Sequence, residues 1–137
     1  MKVQFIAGFG PITRDLAESH RLYRDTLGIA LTEQNGTATN ALAGAKYFSL
    51  WPLDEAAESC FGLKEWPRDV VTPQAWIEFD VESPKAVAAA ATELEDAGYR
   101  LLVSGRREPW GQTVTRLLSP EGLLVGVVYT PWMHTGG

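Results

Sequence analysis

Cysteine is nearly missing from this sequence. Cys60 stands alone among 137 residues, which excludes an intrachain disulfide framework and any multi-cysteine zinc site. No long apolar run is present, and Met1 is followed by a strand-like stretch instead of a basic segment with an apolar extension. Neither a signal peptide nor a membrane span is therefore expected. With the lone thiol, this points to a reducing cytoplasm. Also lacking are a Gly-rich phosphate loop, a nucleophile elbow and a His-Glu-x-x-His helix, which removes the usual nucleotide-binding and hydrolase readings. A basic face is missing as well: 12 Lys and Arg against 17 Asp and Glu give a formal charge of −5 at pH 7. With the arginines scattered among carboxylates, no nucleic-acid partner is expected, whereas a cationic ligand is electrostatically admissible.

What remains is an ordinary globular chain, 45% hydrophobic and 21% charged, long enough for one domain or for two small modules sharing a core. Residues 3–9 have strand character, with Gly10-Pro11 bending or narrowing the far end. Asp15 is placed as a helix N-cap with Glu18 at capping-box spacing, and Leu16, His20, Tyr23 and Leu27 follow at helical intervals to Gly28. Strands are expected at 29–33, at 37–42 after the Asn35-Gly36 turn, and at 46–51. A short helix over 54–62 and a linker punctuated by Pro67 and Pro73 lead to the second half.

There the plan repeats. Ala75 to Val81 alternates so that Trp76, Glu78 and Asp80 share one face of a strand, opposite Ile77, Phe79 and Val81. Ser83 and Pro84 start an alanine-rich helix that stops at Gly98. Strands at 99–103, 113–118 and 123–129 complete it, the last two joined by the Ser119-Pro120-Glu121-Gly122 turn, with Gly105 and Pro109-Trp110-Gly111 as breaks. The expectation is one α+β domain over 1–137, built from βαβββ modules at 1–53 and 75–132 with the helix and linker at 54–74 between them. One such module cannot bury its apolar sheet face alone, whereas two facing modules enclose a cavity.

Tyr23-Arg24-Asp25-Thr26-Leu27-Gly28 resembles the run after the first strand of the vicinal oxygen chelate superfamily (glyoxalases, extradiol dioxygenases and bleomycin-resistance proteins). Ser119-Pro120-Glu121-Gly122 is similar to the turn before its final strand. The phrases Glu108-Pro109-Trp110-Gly111-Gln112 and Tyr129-Thr130-Pro131-Trp132 resemble those of actinobacterial glyoxalase-like proteins. The resemblance implies a homodimer and a cavity between curved sheets. It also implies, in metal-dependent members, four side-chain ligands from the first and last strands of each module. Those four positions fall on Gly8, Phe48, Trp76 and Gly126, none of which binds a metal. The metal-free branch is the nearer analogy, and neither metal nor cofactor is expected.

The resulting expectation is a small-molecule binding protein that sequesters an aromatic or cationic compound. Gly8, Phe48, Leu50, Trp76, Glu78, Trp110, Arg116 and Gly126 are its candidate ligand-binding residues. Gly8 and Gly126 are read as leaving space opposite the aromatic residues. The rival is an enzyme, a lyase or isomerase using Glu78 as a metal-free base, or a metalloenzyme with other ligands. Glu78 has a structural alternative, an ion pair with Arg116. Trp110 and Trp132 are candidate lids or packing residues, His20 a structural histidine on the helix stripe, and Cys60 a buried apolar residue.

Overall fold

Capping and glycine stops fix the helices of the computed structural model, which describes residues 1–33 and 37–134. The Asn35-Gly36 turn lies outside the described residues. Asp15 accepts from the Glu18 amide at 3.2 Å and opens α1 (Leu16–His20), which runs on as a π-helical segment (Arg21–Thr26) before Gly28 turns the chain at φ 75°. Helix α2 (Leu53–Phe61) ends at Gly62, again left-handed. In α3 (Pro84–Asp96), Ser83 caps the Ala86 amide at 3.0 Å, and Val87, Ala90 and Ala91 form the buried stripe.

Seven strands are present among the described residues: β1 (Phe5–Thr13), β2 (Thr37–Thr39), β3 (Phe48–Pro52), β4 (Ala75–Asp80), β5 (Val103–Arg107), β6 (Thr113–Leu118) and β7 (Leu124–Tyr129). They form one mixed sheet in the order β2-β3-β1-β4-β7-β6-β5. The architecture is α+β with an open, continuous sheet, and the two expected sheets are joined where β1 and β4 pair antiparallel. On each side of that junction the pairing repeats: β3 lies parallel to β1 as β7 does to β4, and β2 and β6 follow antiparallel. Helix α3 covers one face with Val81, Val87, Ala90 and Val127. The other face holds the main core, where Ala56, Ala57 and Cys60 of α2 meet Ile12, Trp76, Val114 and Val128.

Boundaries differ from the sequence reading at several places. Strand β1 continues past Gly10-Pro11 to Thr13, with the Ile12 amide bonded to Gln74 O at 2.9 Å, and the strand expected at 37–42 stops at Thr39. The strand expected at 29–33 is reduced to a Thr32–Ala38 bridge, because the Leu31 amide turns back to Ile29 O at 2.8 Å, a γ-turn that interrupts extended pairing. The strand expected at 99–103 begins at Val103, since the Tyr99 amide turns back to Leu94 O at 3.0 Å to close α3. Gly105 is a bulge within β5, its amide bonded to Thr115 Oγ1 at 2.9 Å.

The sheet junction depends on a close approach. Trp76, opposite Gly10 on β4, lays its indole across β1: its far ring edge covers Gly8, and its Nε1 passes Gly10 to donate to Ser49 O on β3 at 3.2 Å. A Cβ on Gly10 would fall 1.8 Å from that same Ser49 oxygen, a backbone atom that cannot rotate away. Gly10→Ala is therefore expected to destabilise the fold by about 3 kcal/mol, read as a lower urea midpoint at unchanged slope. An unaltered midpoint would contradict this account of the junction.

Candidate functional site

Strand β4 inverts the usual pattern. Its acidic face is the more buried one: Asp80 is inaccessible, and Glu78 and Trp76 are buried, whereas Ile77 and Phe79 are only partly covered. Charges in such a place must be paired. The ladder supplies the partner, because Glu78 lies beside Gly126 on β7 and Gly126 beside Arg116 on β6. With no side chain on the middle strand, the outer two meet above it, and Arg116 Nη1 donates to Glu78 Oε2 at 2.9 Å. A Cβ on Gly126 would stand 3.1 Å from Glu78 Cγ and 3.4 Å from that Nη1.

Gln112 holds the other carboxylate oxygen. Its Nε2 donates to Glu78 Oε1 at 3.0 Å and to Thr130 Oγ1 at 2.8 Å, while its own oxygen accepts from Trp110 Nε1 at 2.8 Å. A turn positions it, with the Glu108 amide bonded to Gln112 O at 2.7 Å and Gly111 in the left-handed region. Thr130 is fixed in turn by Asp80, which accepts its amide at 3.1 Å and pairs with His134. Burial raises the Asp80 carboxyl above its ordinary value, and the His134 and Thr130 contacts oppose that shift.

Trp76, Glu78, Gln112, Arg116 and Thr130 line a cavity of about 730 Å³. Tyr47, just before β3, and Trp51 of β3 also line it, as do Trp110, Trp132 and Met133. Trp51 and Trp76 meet edge to face at 6.3 Å, and the Arg116 guanidinium lies over the Trp51 ring at 4.9 Å. Burial, reinforced by the Glu78 charge and opposed by a Ser49 hydrogen bond, raises the Tyr47 phenol, so it stays protonated at neutral pH.

Of the sequence candidates, the cavity brings together Trp76, Glu78, Trp110 and Arg116, with Leu50 at its border. Phe48 is a correction: it faces the helix side of β3, packed with Leu31 and Leu50 beside Leu16 and Tyr23. The run 46–51 is apolar on both faces, so the sequence offered no alternation to fix its register. The spaces expected at Gly8 and Gly126 are filled, the first by the Trp76 indole and the second by the ion pair. Tyr47, Trp51, Gln112 and Thr130 were missed, although Gln112 and Thr130 lie within the two quoted phrases. His20 has a structural contact, Nε2 to Thr37 Oγ1 at 2.9 Å.

The donor set does not fit the superfamily's metal centre. Moving each ligand position to its cavity-facing neighbour substitutes Ala7 and Ser49, and of the two carboxylates that line the cavity, Glu55 and Glu78, the second is already engaged. Among the described residues, no three His, Cys, Asp or Glu side chains converge.

The model of the Glyoxalase/Bleomycin resistance protein/Dioxygenase superfamily matches residues 6–127. The chain belongs to this superfamily. Solved structures agree in fold. Methylmalonyl-CoA epimerase of Streptomyces coelicolor is 20% identical with a TM-score of 0.54, over 95% of this chain and 96% of that one. A superfamily member from Vibrio splendidus 12B01 is 13% identical with a TM-score of 0.56, over 94% and 100%. An NAD-dependent benzaldehyde dehydrogenase of Legionella pneumophila is 11% identical with a TM-score of 0.62, over 89% and 96%. No curated protein sequence matches the chain. No helix among the described residues is long and apolar enough to cross a membrane.

Two outcomes follow from the superfamily chain's geometry. Gly126→Ala is expected to cost about 1–3 kcal/mol by crowding the ion pair, measured by chemical denaturation, and a neutral result would contradict the tight seat described for the pair. Burial pushes the Cys60 thiol up to about 11. At pH 8 it should react with a disulfide reagent about 100-fold more slowly in the native protein than in urea; equal rates would show an exposed thiol.

Proposed function

We propose that the protein binds a small, flat, partly apolar molecule in the cavity between Trp51, Trp76 and Trp110, without a metal. The observation that carries this reading is the lining itself. A concave space within the range of small-molecule sites, walled by aromatic rings and holding a few fixed polar groups, has the composition such sites need. Tyr47, Trp51, Trp110 and Trp132 offer ring faces or edges to a planar ligand, and the Glu78–Arg116–Gln112 network supplies orientation.

The enzyme reading has less support from the geometry. A general base needs a lone pair directed at the proton it removes, and both Glu78 oxygens already accept strong donors. A preference for cations is also weakened, because the Glu78 charge is matched by Arg116 within the same buried pair. Structural neighbours that are enzymes share the fold with this chain, and a fold hosts many functions.

Naphthalene derivatives that differ only in their polar group are suitable probes for a cavity of this size. Saturable, one-to-one quenching of tryptophan fluorescence by at least one of them is expected. Trp51→Leu should weaken it about tenfold, the loss of one aromatic contact, at a temperature where the variant is folded. No quenching by any of them would overturn the reading.

A further inference from the structure

Arg116 is the largest fully buried side chain, at 1% exposure, yet its hydrogen bonding is incomplete. Nη1 is satisfied by Glu78, whereas Nε and Nη2 have no acceptor among the described residues. Buried polar groups are ordinarily paired, and an orphaned donor on a charged group bears its desolvation without return. The two unpartnered nitrogens are not scattered. Nε and Nη2 present parallel N–H bonds on one edge of the guanidinium, the fork whose spacing matches the two oxygens of a carboxylate.

Everything else about the group is fixed. Its plane is set by Trp51, over which it lies at 4.9 Å, and its third nitrogen is tied to Glu78 across Gly126. Gln112 donates to the second Glu78 oxygen, so that carboxylate is held from two sides and cannot swing over to cover the open edge. Arg116 is also part of the cavity wall.

Resting on the reading of the cavity as a binding site, we propose that its ligand is a planar aromatic monocarboxylate. The carboxylate bridges Arg116 Nε and Nη2, and the ring system lies among Trp51, Trp110 and Trp132. One guanidinium already shared with Glu78 matches a single negative charge and planar oxygens better than a dianionic, tetrahedral phosphate. The selectivity is geometric too. A primary amide of the same shape turns an N–H towards one of the two donors and forfeits half of the fork.

The test compares 1-naphthoate, 1-naphthamide and 1-naphthylmethylammonium by titration calorimetry on the intact chain. Expected is at least tenfold tighter binding of 1-naphthoate than of the other two. Arg116→Lys, which keeps a cation for Glu78 but lacks the fork, should abolish the preference over the amide while retaining amide binding. Should that variant not fold, Glu78→Gln serves instead. By removing the competing carboxylate it should tighten 1-naphthoate severalfold and leave 1-naphthamide unchanged. Equal binding of naphthoate and naphthamide by the natural protein, or naphthoate binding indifferent to Glu78→Gln, would overturn the proposal while leaving the cavity reading intact. No binding of any probe would overturn both.

Discussion

The site depends on one buried ion pair and on the glycine beneath it. Removing a carboxylate and a guanidinium from water costs several kcal/mol per ion, recovered only where geometry is good and the remaining polar atoms find partners. Here Glu78 and Arg116 lie on strands two apart, and they meet because the strand between them carries Gly126 at the shared register. Gln112 completes the Glu78 side. Arg116 is left half satisfied, and it is one of the residues that line the cavity. A structure that retains so costly an arrangement ties strand register to the chemistry the cavity presents.

A second constraint joins the halves of the sheet. Glycines at 8 and 10 flatten β1 so that Trp76 can cross it and reach Ser49. The same ring meets Tyr47 and Trp51, and Trp51 carries Arg116 on its face. The contact that holds β4 against β1 and β3 thus also shapes the aromatic wall, and the wall orients the guanidinium. Fold and site share these residues, which is why cavity shape and sheet stability are coupled here.

Much of this plan was legible in the sequence. Caps at Asp15 and Ser83, glycine stops at Gly28, Gly62 and Gly98, and period-two alternation in residues 75–81 are local signals, and each element they mark is present. The Glu78–Arg116 pair was visible as an alternative, because alternation put Glu78 on the Trp76 face. What escaped was non-local or ambiguous. Residues 46–51 are apolar on both faces, so Phe48 was assigned to the cavity when its neighbours Tyr47, Ser49 and Trp51 belong there. Gln112 reaches Glu78 only through a tight turn at the far end of the chain. The space expected at Gly8 and Gly126 is occupied, because its occupants come from other strands.

The superfamily's metal centre is replaced, at corresponding positions, by an indole and an ion pair. What the cavity offers instead is aromatic surface and the open edge of one arginine. A crystal structure of the protein with 1-naphthoate tests this most directly. The account predicts both carboxylate oxygens within about 3 Å of Arg116 Nε and Nη2, with the naphthyl ring against Trp51. A carboxylate bound elsewhere in the cavity, with only water at that edge, would contradict it.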